Sequence, residues 1–264
     1  MASYFKDWVR DGYPKDMGSG GVIPPPSKDV IRVYHILAAD FAISNIRLSR
    51  MKVARFSDLN DPFELIAVSF KNAKVRKIVT GFRTAFGKDT GLLCFSANWV
   101  SPLLWGHYGA KHRGICLGFD LKRDSAHKVK YKAERLPEEL VDLENSSKLD
   151  DELKELLLVT KFQHWDYEKE WRHFVQLSDA VGEGNLHFYP FDENLRLAEV
   201  ILGARCDMSV NFVRELTRLH HPNAVTFKAR PAYKFFSVVP NKRTVPGRGG
   251  DNSSALASAA STVF

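Results

Sequence analysis

Apolar and polar positions alternate in several short runs, and each run predicts a strand. IRVYHIL (31–37) mixes branched and aromatic residues in this way. In AADFAISNIRLSR the apolar positions Phe41, Ile43, Ile46 and Leu48 are spaced for a short helix. MKVARF (51–56) predicts a second strand, and SDLNDPFEL predicts a polar turn stopped by proline. A basic helix follows over 70–87, then a buried strand, GLLCFSANW (91–99), that ends in a polar corner. Ser101 and Pro102 suit a helix start, a hydroxyl cap before a residue with fixed φ and no N–H to lose. That helix carries Trp105 and Tyr108. ICLGFD predicts the next strand and KVKYK (128–132) a strand edge.

The second half continues in the same manner. Residues 137–163 turn from acidic to leucine-rich, with helical spacing at Leu149, Leu153, Leu156 and Leu157. YEKEWRHFVQL (167–177) alternates and predicts a strand. LAEVILGARC predicts another, SVNFVRELTRLHH a capped helix, and NAVTFKARPAYKFFSVV the last strands. The expected fold class is α+β, a single domain around a mostly antiparallel β-sheet flanked by short helices. That domain covers 31–240. Residues 1–30 are an expected extension and linker, with a short helix near SYFKDWVRDG followed by MGSGG and PPPS. Residues 241–264, rich in Gly, Ser and Ala, are an expected disordered tail.

Composition narrows the class. The chain has 264 residues, 44% hydrophobic and 12% aromatic, enough for one sizeable core. No run approaches the roughly 18 apolar residues of a membrane helix, so no membrane partner is expected. The N-terminus carries acids and no long apolar core, unlike a secretory signal. Cys94, Cys116 and Cys206 lie far apart and form no CxxC pair, so a reducing, cytoplasmic setting is expected. The net charge of +7 is scattered, with local clusters only at KNAKVRK (71–77) and KVKYK.

Four stretches carry residue types suited to chemistry. His107 and His112 are out of phase on a helix, unlike an i, i+4 zinc pair, and no metal site is expected. In NDPFE, Asn60 and Asp61 before proline suit an Asx-type turn, and Glu64 just beyond is placed to cap or to pair with a basic helix residue. On a strand through WDYEKEWRHF, Glu168, Glu170 and Arg172 would share one face. Arg172 then either compensates the two carboxylates as a structural ion network, or leaves one of them to hold a sugar hydroxyl or a developing cation. Ser96 sits where its strand gives way to a turn, but it lacks the G-x-S-x-G elbow of a hydrolase nucleophile. Trp105, Tyr108 and His112 are either an aromatic stripe on the sheet or cleft walls.

The segments VYHILAADFAISNIRLSRMKVARFSDLNDPFEL, LLCFSANWVSPLLWGHYGAKHRGICLGFD and WDYEKEWRHF, in that order, closely resemble the bacterial domain-of-unknown-function family 2971. The resemblance spans 31–205 and brings no settled activity, only a hint of a phage-defence context. The organisation also resembles ADP-ribosyltransferase-like folds. That likeness would put Arg32 or His35 on the first strand, Ser96 with Tyr108 in the middle, and Glu168 and Glu170 on the late strand. It implies NAD or another nucleotide as ligand: a first-strand residue such as Arg32, Tyr34 or His35 would hold the ribose, an aromatic would stack on the base, and a glutamate would stabilise an oxocarbenium-like transition state.

Three functions are therefore expected as alternatives. The first is an NAD- or nucleotide-using transferase or glycohydrolase in a defence or toxin setting. Its catalytic residues would be Glu170, Glu168, Ser96 and His35, and its binding residues Tyr34, Arg32, Tyr108, Trp105, His112, Asn60, Asp61, Glu64 and Arg172. The second is a non-catalytic sensor that binds a partner or nucleic acid through the basic segment 70–88, with Lys71, Lys74, Arg76 and Lys77. The third is a metal-dependent nuclease using Asp58, Asp61, Glu64 and Glu168.

Overall fold

The computed structural model describes Pro25, residues 27–143 and residues 149–246. The expected N-terminal helix, most of the linker and most of the C-terminal tail lie outside the described residues. Along the chain run β1 (Val30–Leu37), α1 (Ala39–Leu48), β2 (Arg50–Lys52), α2 (Ala73–Asp89), β3 (Thr90–Ser96), α3 (Pro102–His107), β4 (Ile115–Lys122), β5 (His127–Lys128), β6 (Lys130–Lys132), α4 (Asp151–Val159), β7 (Thr160–Phe162), β8 (Glu170–Gln176), β9 (Val181–Glu183), β10 (Leu186–Pro190), β11 (Leu195–Leu202), α5 (Val210–His220), β12 (Val225–Pro231) and β13 (Val238–Pro240). Among the described residues, eight strands form one sheet in the order β13-β12-β11-β4-β1-β3-β8-β5, beside a β2-β10-β9 sheet and a β6-β7 pair. Neighbours in the large sheet run antiparallel, except β11 and β12. Helix α5 makes the crossover that this parallel pair needs. The fold is α+β with a mostly antiparallel sheet.

Both faces of the sheet are covered. Val33, Leu93, Phe95, Leu117 and Phe119 form one cluster, which Ala42 and Ile46 of α1 and Val213 of α5 cover. Tyr34, Ile36, Cys116 and Ile201 belong to a second cluster with Trp99, Trp105 and Phe227. Strands buried on both faces read as nearly continuous apolar runs, which is why ICLGFD shows no clean alternation. A third cluster joins Val75 and Val79 of α2 to Leu153 and Leu157 of α4. Gly118 of β4 is required by close approach. A Cβ there would lie 2.9 Å from the Tyr34 ring and 3.0 Å from Glu199 Cβ.

Several expected elements are shorter or different. Of the strand expected over 51–56 only Met51 and Lys52 are kept, in β2, and Phe56–Asp58 is a 3₁₀ turn. The helix expected to reach 163 stops at Val159, and Thr160–Phe162 forms a strand parallel to β6. β-Branched Val159 and Thr160 suit that change. The strand expected from 167 begins at Glu170. Gln163–Glu168 is a 3₁₀ turn closed by Lys169 at φ 45°, so Glu168 is not on the strand. Ser101 occupies the N-cap position without a side-chain hydrogen bond, and Pro102 starts α3. That helix ends at His107, and Ala110, Lys111 and His112 all take positive φ. His112 therefore does not share a helix with Tyr108.

One irregularity positions the site. β1 and β4 pair from Val30↔Lys122 to Leu37↔Ile115, but β1 and β3 meet only at Tyr34↔Ser96. The first half of β3 turns to residue 54 instead. Ala54 N–H donates to the Leu92 carbonyl at 2.9 Å, and Leu92 N–H donates back at 3.0 Å. The sheet is forked here. The His35 imidazole bridges the fork, with Nδ1 2.9 Å from the Cys94 carbonyl.

Candidate functional site

A cavity of about 330 Å³ opens in this fork. β1 contributes His35, β2 contributes Met51 and Lys52, and β3 contributes Leu93, Cys94 and Ser96. Asp58, Asn60 and Tyr108 approach from the loops, and Glu64, Lys161, Glu168 and Glu170 complete the lining. The volume is at the lower end of the roughly 300–1,000 Å³ of small-molecule sites.

Beneath the cavity lies a buried ion cluster. Among the described residues it contains three carboxylates, Glu64, Glu168 and Glu170, and two cations, Lys161 and Arg172. Arg172 Nε donates to Glu170 at 2.9 Å, and Nη2 reaches both oxygens of Glu64 at 2.9 and 2.8 Å. Its Nη1 donates to the Leu158 carbonyl at 2.8 Å. Lys161 Nζ donates to Glu168 at 2.7 Å and to Glu170 at 2.9 Å, and lies 3.4 Å from Glu64. The Tyr108 hydroxyl donates to the other Glu168 oxygen and accepts from Asn60 Nδ2 at 3.0 Å. The Tyr131 hydroxyl accepts from Glu170 N–H at 2.8 Å. Charges this deep are tolerated because each one is paired and hydrogen-bonded.

Burial and pairing set the protonation states. Burial opposes the charge of Lys161, but Glu170, Glu64 and Glu168 together raise its pKa well above the ordinary lysine range. Arg172 is raised in the same way by Glu170 and Glu64, against burial. Burial favours neutral Glu170, yet Arg172 and Lys161 overcome it and hold the carboxyl below its usual range. In Glu64, burial and the Glu170 charge outweigh Arg172, and the carboxyl is raised. Burial and Glu168 push the Tyr108 hydroxyl far up, so it stays a donor. Burial and Glu170 raise the Cys94 thiol well above its usual value, which leaves a poor nucleophile. Burial lowers His35, which is neutral at neutral pH.

Ser96 and His35 keep hydrogen-bonding capacity for a ligand. Ser96 Oγ accepts from Asn98 N–H at 3.2 Å, and its own proton has no partner among the described residues. His35 Nδ1 faces a carbonyl and must carry the proton, so Nε2 is an acceptor. Lining or backing the cavity are four acids (Asp58, Glu64, Glu168 and Glu170) and three cations (Lys52, Lys161 and Arg172), an excess of one negative charge.

The expected site residues separate into groups. His35, Ser96, Tyr108, Asn60, Glu64, Glu168 and Glu170 line the one cavity, and Arg172 backs it. Tyr34 also lines it, but its hydroxyl donates to Glu199 at 3.0 Å. Arg32 belongs to a different buried cluster, 2.7 Å from Asp120 and 3.4 Å from Glu199. Trp105 is buried in the core, where its Nε1 donates to the Trp99 carbonyl at 2.7 Å. His112 stacks on it at 6.2 Å, and neither residue lines the cavity. Asp61 Oδ1 accepts from Phe63 N–H at 2.9 Å, an Asx-type turn. Glu64 pairs with Arg172 on a strand and not with a helix residue.

The acids grouped for a nuclease are each spent on partners within the protein. Asp58 meets Lys52 at 3.3 Å, Asp61 its own turn, Glu64 Arg172, and Glu168 Lys161. Among the described residues no group of three or more His, Cys, Asp or Glu could hold a metal ion. Lys71, Lys74, Arg76 and Lys77 are exposed on or just before α2. No helix among the described residues is long and apolar enough to cross a membrane.

Lys161 and Tyr131 were not expected at the site. The signal for Lys161 is a lone cation after the apolar run LLLVT, a place where lysine is kept only with partners. No curated protein and no solved structure matches the chain. Over residues 104–173, from within α3 to within β8 and including Tyr108, Lys161, Glu168, Glu170 and Arg172, the chain is similar to the family described as "Protein of unknown function (DUF2971)".

Proposed function

We propose that the forked-sheet cavity binds the ribosyl end of a nucleoside, a nucleotide or NAD, and that the chain is an enzyme cleaving the bond at the anomeric carbon. The supporting observation is the convergence of His35, Ser96, Tyr108, Glu168 and Glu170, far apart in sequence, on one cavity with an excess carboxylate. A donor at Ser96, an acceptor at His35 Nε2 and an acceptor at Glu168 together suit a sugar with several hydroxyls.

The division of labour follows from the partners. Glu170 is held by Arg172 and Lys161, so it acts as a fixed anion. Glu168, bound to Tyr108 and Lys161, has lone pairs left for a ribose hydroxyl. As the glycosidic bond breaks, positive charge develops on the ring, and preorganised carboxylates stabilise it. The same negative excess disfavours phosphate inside the cavity. A phosphorylated ligand keeps its phosphates outside, with only one ribosyl unit in the available volume.

The test is incubation of the protein with NAD and with nucleosides, following release of free base by chromatography in wild type, Glu168→Gln and Glu170→Gln. Release that falls in both variants supports the proposal. No release from any of these compounds, with macromolecular acceptors present, overturns it. Neutralising Lys71, Lys74, Arg76 and Lys77 is the contrasting experiment. Polynucleotide binding with a steep salt dependence, lost in that variant, would move the function to the helix.

A further inference from the structure

β12 and β13 form a hairpin at one end of the large sheet, joined by the loop 232–237. The loop carries three aromatic rings within four residues. Tyr233 is 89% exposed, Phe235 37% and Phe236 100%. Hydrogen bonds hold the loop in this shape. Ala232 N–H donates to the Ser237 carbonyl at 2.9 Å, and Ser237 N–H donates to the Phe235 carbonyl at 3.0 Å. At its base, the buried Ser237 Oγ and Val238 N–H both donate to the Val100 carbonyl, at 3.2 and 2.9 Å. A loop tied down in this way does not fold its rings back onto the core. Adjacent exposed aromatic rings mark a contact surface more than scattered apolar residues do.

The charge along the hairpin has one sign. From residue 216 to residue 250 the sequence contains no Asp or Glu. Arg230 pairs with Val239 just below the loop, and its guanidinium lies 4.3 Å from the centre of the Tyr233 ring. Lys234 is exposed within the loop, and Lys242 and Arg243 are exposed just past β13. None of these four cations makes an ion pair among the described residues. Asn241 continues the ladder, its N–H donating to the Lys228 carbonyl at 2.8 Å. At about 3.3 Å per residue, Lys242 and Arg243 therefore lie roughly 10 Å below the loop. The hairpin has an aromatic tip and a cationic collar.

We propose that this hairpin docks the chain on an anionic bilayer surface. Tyr233 and Phe236 enter the boundary between headgroups and acyl chains, and Arg230, Lys234, Lys242 and Arg243 meet the headgroup charges. The order along the hairpin carries the choice of partner. A bilayer is apolar inside and anionic at its surface, the order in which rings and cations stand here. Single-stranded nucleic acid stacks its bases on rings that the protein supports on one face, and Phe236 is supported on neither. A second copy of the chain would set these cations against each other across a two-fold interface. A surface contact of this kind needs no apolar run long enough to span the bilayer. The docking surface does not depend on whether the cavity cleaves glycosides.

Co-sedimentation of the full chain with phosphatidylcholine vesicles, with and without phosphatidylserine, tests this. Saturable binding to the phosphatidylserine vesicles is expected, weakened by salt and at least about tenfold weaker without that lipid. Phe236→Ser lowers the partition coefficient about tenfold or more. Lys242→Gln and Arg243→Gln lower it about fivefold for each charge removed. In Phe236→Trp, the added emission shifts to the blue on binding and is quenched by lipids labelled in their acyl chains. Circular dichroism establishes that each variant is folded. Neutralising Lys71, Lys74, Arg76 and Lys77 changes vesicle binding little. The proposal is overturned if phosphatidylserine vesicles are not bound, if Phe236→Ser leaves partitioning unchanged, or if neutralising the basic helix abolishes it. Polynucleotide binding or lipid-free self-association that Phe236→Ser abolishes also overturns it, and assigns the hairpin to that partner.

Discussion

Replacing Arg172 with Met removes the cation that holds two buried carboxylates. Arg172 is fully buried and makes close hydrogen bonds to Glu170, to both oxygens of Glu64 and to the Leu158 carbonyl. Without it, Lys161 alone faces Glu64, Glu168 and Glu170. Removing one partner of a buried ion pair costs about 3–5 kcal/mol, because the remaining charge stays desolvated. That is a large part of the roughly 5–15 kcal/mol by which a domain is stable. At about 2–4 °C per kcal/mol for a chain of this size, the midpoint of thermal unfolding falls by about 6–20 °C. Urea unfolding followed by circular dichroism gives the free energy, and calorimetry the midpoint. Glu64 provides the internal control, since burial and Glu170 already raise its carboxyl. Glu64→Gln in the Arg172→Met background therefore recovers part of the loss, a coupling that a double-mutant cycle measures. A loss below about 1 kcal/mol for Arg172→Met, the scale of a surface pair, would refute the reasoning. The cluster would then be solvated, and the cavity would have no closed floor.

Other expectations follow from single contacts. Gly118→Ala places a Cβ 2.9 Å from the Tyr34 ring. It should cost about 1–3 kcal/mol in urea unfolding, and a neutral effect would show that the Tyr34 ring moves freely. Tyr108→Phe removes the donor to Glu168 and the acceptor of Asn60. It should lower kcat/KM for base release about five- to thirtyfold, for a loss of about 1–2 kcal/mol, while unfolding shifts little; an unchanged rate counts against Tyr108 at the site. Burial lowers His35 below its ordinary 6.5, so the folded state binds this proton less readily than the unfolded state. Stability from this group is present above pH 6.5 and is lost as pH falls from there through the lowered value, with His112, His127 and His221 acting in the same direction. Unfolding free energies measured on both sides of that value check this. The fall should be shallower in His35→Asn, and a flat profile would contradict it.

Much of the fold is legible in the local pattern. Alternation in IRVYHIL marks β1, and the spacing within VNFVRELTRLH marks α5, capped by Ser209. These elements depend on periodicity and capping, which act within a few residues. The misread elements are those decided by distant partners. YEKEW alternates like a strand, but the positive φ of Lys169 breaks it, and Glu168 reaches Lys161 from a turn. The apolar run before Lys161 looks helical to its end, yet Thr160 pairs with Lys130 of β6. The VGEGNLHFYP hairpin, β9 and β10, carries no expected element. It turns at Gly184 with φ 59° and is held against β2.

The site divides in the same way. Residue types alone marked Glu168, Glu170 and Arg172 as a set suited either to an ion network or to a sugar-binding carboxylate; Ser96 and Tyr108 were joined to them only through the resemblance in organisation. Local chemistry also settled the Asx-type turn at Asp61, which needs only Phe63 N–H two residues on. What local chemistry leaves open is which groups share a space, because charge pairing and burial act between residues remote in sequence. Glu64 finds Arg172 across 108 positions, and the fork between β1 and β3 exists because Ala54 takes the ladder bonds of Leu92. Trp105 and Tyr108, three residues apart, part company for the same reason. One fills the core beneath Trp99, and the other points its hydroxyl at Glu168. The elements and the residue types were determined by the sequence within short windows; the cavity, its excess negative charge and its hidden cation Lys161 were decided by tertiary packing, which alone sets distances between remote side chains.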